Sequence, residues 1–313
     1  MRKIYAMGEA VVDVLPADGG LWRPVPGGSS YNVALALGRL GAPSAFVGRL
    51  SRDEQGEIML RALAEAGVAT DLVARDDRPS PLSLVERGSQ AQSPRYRIHL
   101  ADTAHAPPDP PAGWLAGAAH LHVSSFSAFA GPWGEAVAAA LVAAKGAATR
   151  SLDVNIRPNL LPSRDKTLEL LDARLAHVEI VKASDEDLAW LFPGENPDET
   201  AARWSMDGLL VVLTRAAAGA SVFGAGEPVH GAGLPVSVVD SVGAGDAFVA
   251  AFLTRALETG ALETGALGET GRTTRERMAA ILAFANMAGA LSCTRAGADA
   301  PTRAEIEARL GGA

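Results

Sequence analysis

The stretch whose reading decides the fold is Asp240-Ser241-Val242-Gly243-Ala244-Gly245-Asp246. Before it runs Leu234-Pro235-Val236-Ser237-Val238-Val239, a β-branched segment that predicts the end of a strand. After it, Ala247 to Leu253 is apolar and predicts a helix. The motif is therefore expected at a strand-to-helix turn. Gly243 and Gly245 permit tight turning and close approach by a ligand. The first amides of a helix lack intrahelical acceptors, so they form an anion site. Asp246 adds a carboxylate at that spot. From these residues alone two readings stand. One is a glycine turn with an aspartate N-cap. The other is a phosphoryl-transfer site, in which amides stabilise the moving group and the carboxylate takes a proton from the attacking hydroxyl.

Composition narrows the context. A chain of 313 residues that is 48% hydrophobic can bury one large α/β core or two smaller ones. The net charge of -8, with no basic run, argues against nucleic acid or an anionic membrane as partner. Cys293 is the single cysteine, so no disulfide forms within the chain and a reducing cytoplasm is the expected compartment. Met1-Arg2-Lys3 leads directly into a strand-like run, so no secretory signal is expected, and no stretch approaches a membrane span.

Working outward, strands are predicted at 3–7, 21–25, 45–50, 119–123, 151–155, 178–181 and 209–213. Shorter hairpin-like pieces fall at 220–223 and 228–239. Helices are predicted at 31–40, 54–66, 133–145, 165–176, 185–191, about 245–258 and 274–291. This alternation implies a mostly parallel sheet covered on both faces. Residues 82–85 and 96–100 instead alternate like an antiparallel hairpin standing apart from that sheet. Ligands of such sheets bind at the carboxyl ends of the strands. Asp13, Asp153, Asn155, Arg157, Lys182, Thr214 and Asp246 all fall near predicted strand ends. The near-repeat at 256–271 reads as a surface connection. No G-x-x-x-x-G-K-[ST], C-x-x-C, H-E-x-x-H or G-x-S-x-G is present, which removes the P-loop, obvious zinc-site and serine-hydrolase readings.

With these residues in view, the chain resembles the ribokinase-like (PfkB) carbohydrate kinases over nearly its whole length. Asp240 to Asp246 matches the C-terminal signature; Gly27-Gly28, Asn32-Val33-Ala34 and Gly41 match the N-terminal one, with Ser30 and Ser51 as departures. Met7 to Asp13 and Asp153 to Pro158 resemble the fructokinase and 2-keto-3-deoxygluconate kinase branches. The resemblance implies an α/β/α sandwich spanning 1–313, with a mostly parallel central sheet and a small β-sheet lid from segments near 11–25 and 78–103. It implies Asp246 as base and the Gly243, Ala244 and Gly245 turn as anion hole. Asp13, Gly27, Gly28, Asn32, Arg97 and Arg157 are implied as substrate contacts. Lys182, Thr214, Gly219, Gly245 and Asn286 are implied around ATP, with Ala216 standing where the nucleotide loop usually has glycine. Asp187 would help place Mg2+ through water, Ser184 replacing the usual asparagine. Asp240, Val242, Ser292, Arg295 and Gly297 match a monovalent-cation loop of the potassium type. The implied activity is ATP-dependent phosphorylation of a sugar's primary hydroxyl, fructose first and 2-keto-3-deoxygluconate second, by a homodimer joined through the lid. A non-catalytic sugar-binding protein of the same fold is the reading from another class.

Overall fold

The computed structural model describes residues 2–86, 95–263 and 272–311. The first strand, β1 (Lys3–Met7), lies inside the main sheet, and the chain then leaves that sheet for β2 (Val11–Pro16) and β3 (Trp22–Gly27). It returns through α1 (Ser29–Arg39), β4 (Ser44–Ser51), α2 (Glu54–Glu65) and β5 (Val73–Asp76). A second excursion makes β6 (Leu82–Glu86) and β7 (Arg95–His99). The alternating part follows as β8 (Ala118–Ser124), α3 (Gly131–Ala143), β9 (Thr149–Asp153), α4 (Arg164–Leu175), β10 (Ile180–Ser184) and α5 (Asp185–Leu191). It closes with α6 (Pro197–Met206), β11 (Leu210–Thr214), β12 (Ala220–Phe223), β13 (Val229–Gly231), α7 (Ala244–Glu258), α8 (Arg272–Cys293) and α9 (Arg303–Leu310).

Among the described residues the strands form two sheets. The large one has the order β13-β12-β11-β10-β9-β8-β1-β4-β5, parallel from β5 to β11 and antiparallel at β12 and β13. The small one has the order β3-β2-β6-β7. Each face of the large sheet carries its own apolar core. One core packs α1, α2, α7 and α8 through Leu37, Met59, Phe252 and Leu282. The other packs α3 to α6 through Leu141, Leu171, Leu188 and Trp204. The α/β/α sandwich with a separate small sheet is thus the architecture expected.

Three sequence expectations are corrected. Residues 234–239 are not a strand: Val238 and Val239 are 66% and 65% exposed, and the Val239 amide bonds to Cys293 O (2.8 Å) instead of a neighbouring strand. β-branched residues favour strands only where a ladder partner and a buried face exist. Helix α6 went unread, although Asn196 caps it and Pro197 opens it, a regular helix start. Helix α9, with its Thr302–Glu305 capping box, was also missed. The predicted turn between β6 and β7, at 87–94, and the repeat beyond 263 lie outside the described residues.

Candidate active site

Two helices start at the same place. Gly28 is the N-cap of α1, and its φ of 99° belongs to glycine; a Cβ there would lie 2.7 Å from Glu9 O. Gly243 is the N-cap of α7, with φ 76°, and a Cβ there would lie 2.7 Å from Ala298 Cα. Behind these caps the helices are held by burial: Ala247 to Leu253 are all buried, as in a helix surrounded by protein on every side. The two N-termini bring their positive dipole ends to one point.

Asp246 sits at that point in the first turn of α7 and is buried. Its Oδ1 accepts from Ser29 Oγ (2.7 Å) and its Oδ2 from Asn32 Nδ2 (2.9 Å). Asn155, whose φ of 37° is unusual for a non-glycine residue, donates from Nδ2 to Ser29 Oγ (3.0 Å). Burial raises the Asp246 pKa, while Asn32, Ser29, Arg157 and Lys182 work to lower it. The first intrahelical bond of α7 runs from Ala247 N to Gly243 O (2.9 Å), so the Gly245 and Asp246 amides precede the ladder. The Ala244 amide already bonds to Ser241 O (3.3 Å), which narrows the expected anion hole to those two amides.

Asp246 also marks a junction between two hollows. A cavity of about 700 Å3 is lined by Asn155 to Leu160, Lys182, Ser184, Asp187, Trp190 and the Ser241–Gly243 turn, with Gly245 and Asp246 at its end. A smaller one, about 50 Å3, lies under the small sheet and carries Asp13, Gly28, Asn32, Ser83, Ile98 and Phe126. Arg157, Val242, Gly243 and Asp246 belong to both. Asp13 is buried, and its carboxyl is pushed up to about 6 by burial, against the lowering effect of Ser83 and Arg157. A Cβ on Gly27 would run into that carboxylate, which explains glycine there.

Beneath the α7 turn, Lys182 Nζ lies 3.0 Å from Asp153 Oδ1 and 3.1 Å from Oδ2, both side chains buried. A Cβ on Gly245 would meet only this ammonium, at 3.5 Å. Burial opposes the Lys182 charge, but Asp153, Asp187 and Asp246 outweigh it and raise its pKa. Lys182 was read at a strand end; it lies within β10, under the anion site.

The remaining predicted residues divide. Ser184 caps α5 and Asp187 returns the bond as a capping box, so serine serves this position well. Both Asp187 oxygens accept from backbone amides, Oδ1 from Ile156 N (2.7 Å) and Oδ2 from Ser184 N (2.8 Å). Among the described residues no group of three or more His, Cys, Asp or Glu could hold a metal ion. A magnesium ion on this cavity wall would be held by Asp187 through water, since both its oxygens already accept from backbone amides. Asp240 ties Val242 N (3.0 Å) to Gly297 N (2.9 Å), and Cys293 O accepts from Val239 N and Asp240 N. Ser292 Oγ is buried there with no hydrogen-bond partner, which fits a loop pair that holds a cation by oxygen. Arg295, in the same loop, pairs with Glu305 (2.5 Å).

Thr214 ends β11 in register with Ser184, and Gly219 packs against the backbone of residues 231–233; neither lines the large cavity. Asn286 spends its amide on Gly231 O (2.9 Å) and Ala232 O (3.1 Å). Arg97 is not brought to the site. It pairs with Leu84, while its neighbour Ile98 pairs with Ser83 and Ser83 with Asp13. Side chains alternate along a strand, so Ile98 shares the Asp13 face and Arg97 points the other way. Sequence reading passed over Ser29, Glu9 and Ser83. Ser29 follows Gly27-Gly28 directly, and that adjacency was the available signal.

An aspartate held by two helix starts, beside free amides at the meeting of two cavities, defines a phosphoryl-transfer enzyme of the α/β/α sugar-kinase type. The match to the pfkB family carbohydrate kinase model over residues 1–305 says which: the chain belongs to that family and is a carbohydrate kinase. It is 34% identical to a fructokinase of Escherichia coli over 317 aligned positions, 97% of this chain and 98% of that one. A crystal structure of fructokinase with bound ATP from Xylella fastidiosa superposes with a TM-score of 0.86 at 26% identity, covering 99% and 98% of the two chains. A fructokinase double mutant from Vibrio cholerae O395, in fructose-, ADP- and potassium-bound form, gives 0.81 at 27% identity, covering 98% of both.

Proposed function

We propose that this chain is an ATP-dependent fructokinase. The observation that carries the reading is Asp246 at the junction of the two cavities. The large cavity suits a nucleotide's phosphates, being within the roughly 300–1,000 Å3 of ligand sites. The small one suits the sugar. Asp246 then takes the proton of the attacking primary hydroxyl, while the Gly245 and Asp246 amides stabilise the transferring group. Arg157 borders both cavities and bridges them with positive charge. Lys182 supplies further positive charge below. Magnesium would come with the nucleotide, held through water by Asp187, and would supply charge neutralisation at the phosphates. The Asp240 loop takes potassium, a reading supported by the potassium-bound Vibrio relative. ATP enters the large cavity with its base toward Thr214, Gly219 and Asn286 beyond the cavity's lining; the Xylella relative was crystallised with ATP.

The lining of the small cavity favours a neutral sugar over an acid one. Asp13 and Asp246 place two carboxyls around it, against Arg157, with Glu9 behind them raised to about 7 by burial. An anionic substrate would meet like charges there at low dielectric. At about 50 Å3 the cavity is far below the ~300 Å3 of common ligand sites, so the small sheet acts as a lid that opens for fructose and closes to exclude water. Leu21, Trp22 and Leu82 are exposed near or on the outward side of that sheet, and this apolar patch supports a homodimer formed lid to lid. A single cysteine suits a cytoplasmic enzyme; among the described residues no helix is long and apolar enough to cross a membrane.

The test is coupled ADP release with magnesium-ATP across fructose, 2-keto-3-deoxygluconate, ribose, tagatose and adenosine, with Asp246→Asn as control. Fructose turnover that falls about 10²- to 10⁴-fold in the variant is expected. Preference for the keto-deoxy acid would move the substrate assignment, and no turnover on any sugar would end it.

A further inference from the structure

Glu9 is a buried carboxyl that the phosphoryl-transfer scheme leaves without a task. It is 1% exposed and stands between β1 and β2, where the chain leaves the large sheet for the small one. Its Oε1 accepts from Ser29 N at 3.0 Å. Ser29 opens α1 just after the return crossing at Gly27-Gly28. One side chain thus braces the outgoing crossing against the returning one. Ser29 in turn donates from Oγ to Asp246 Oδ1. The other oxygen, Oε2, is buried beside Ser127, whose hydroxyl is committed to Ser124 O (2.9 Å), and it makes no regular hydrogen bond. Burial, with a further push from Asp246, raises the Glu9 carboxyl to about 7. An apolar residue would occupy this space at lower cost. The bond to Ser29 N is what the carboxyl adds.

We propose that Glu9 is a positioning residue for phosphoryl transfer, fixing Ser29 and through it the orientation of the Asp246 carboxylate where the small sheet joins the body. The proposal rests on the fructokinase reading. The test is steady-state kinetics with magnesium-ATP and fructose on Glu9→Ala, Glu9→Gln, Glu9→Asp, Ser29→Ala and the Glu9→Ala/Ser29→Ala double variant. Glu9→Ala should lower kcat about 10- to 100-fold, the scale of a misplaced catalytic group, with KM for ATP changed less than about threefold. Glu9→Gln keeps an oxygen for the Ser29 amide and should recover most of kcat. Glu9→Asp withdraws that oxygen by one methylene and reports the loss should the alanine variant not fold. The double variant should lie within about twofold of Ser29→Ala, because the hydroxyl that Glu9 orients is gone. Wild-type kcat in Glu9→Ala or Glu9→Asp, failure of Glu9→Gln to recover kcat, or independent losses in the double variant, would overturn the proposal while leaving the fructokinase reading in place. Wild-type protein inert on fructose would overturn both.

Discussion

Asn32 on α1 donates a 2.9 Å hydrogen bond to Asp246 on α7, joining residues 214 positions apart. Two sequence signatures become one site through this bond. Its energetic weight is that of a charge-assisted bond in a buried setting, roughly 1.5–3 kcal/mol. Asn32→Ala is therefore expected to cut kcat about 10- to 100-fold while the far-ultraviolet spectrum stays native. A variant with wild-type kcat would show that Ser29 alone orients the base.

Arg157 and Arg97 were both expected at the substrate, and the fold separates them. Arg157 borders both cavities, whereas Arg97 lies on the outward face of the small sheet. Arg157→Ala should lower kcat/KM for fructose at least about 100-fold, as loss of a positioned transition-state charge does. Arg97→Ala should stay within about threefold of wild type. Equal losses in the two variants would mean that the outward face reaches a substrate after all.

Ala216 opens the 3-10 turn at Ala216–Ala218 with φ 42°, a left-handed conformation that costs a residue with a Cβ roughly 1 kcal/mol. Ala216→Gly should raise the melting temperature by a degree or more and lower KM for ATP. The turn follows β11 on the proposed path of the nucleotide, where relief of strain and closer backbone approach act together. A lower melting temperature would contradict the strain argument.

Asp13 offers a pH test with a definite sign. Its carboxyl is pushed up to about 6 by burial, above the ordinary 3.8. Between those values the folded chain binds more protons than the unfolded chain, so this group makes stability fall as pH rises. His105 and His122, held by burial to about 4 and about 3, act in the opposite sense. The comparison must therefore be with Asp13→Asn, which removes one contribution and leaves the histidines. From pH 4 to 6 the wild type should lose stability relative to the variant by up to about 1.4 kcal/mol per pH unit. Above pH 7 the gap should be constant. Denaturant midpoints at pH 4, 5, 6 and 7.5 read this directly, and a flat gap would refute it.

Much of this enzyme was legible in the linear sequence because its signals are local. Apolar periodicity marked α1, α2, α7 and α8, and the glycines around Gly28 and Gly243 marked the two helix starts. Asp13, Asn32 and Asp246 were readable as polar groups against apolar runs. The helices α6 and α9 carried local start signals that were passed over; the other misses have a tertiary cause. Val236 to Val239 carry strand-forming side chains, yet only a neighbouring ladder makes a strand, and none lies beside them. Strand alternation fixed that Arg97 and Ile98 face opposite ways, but the pairing with Ser83 and Asp13 decided which one faces the small cavity. Glu9, Ser29 and Asn155 are ordinary residues in the chain; packing of α1 against α7 and β9 gathered them around Asp246. Sequence by itself determined the alternating fold and singled out Asp246 at the start of α7. Tertiary structure decided what surrounds that aspartate, because burial and facing depend on partners distant in the chain.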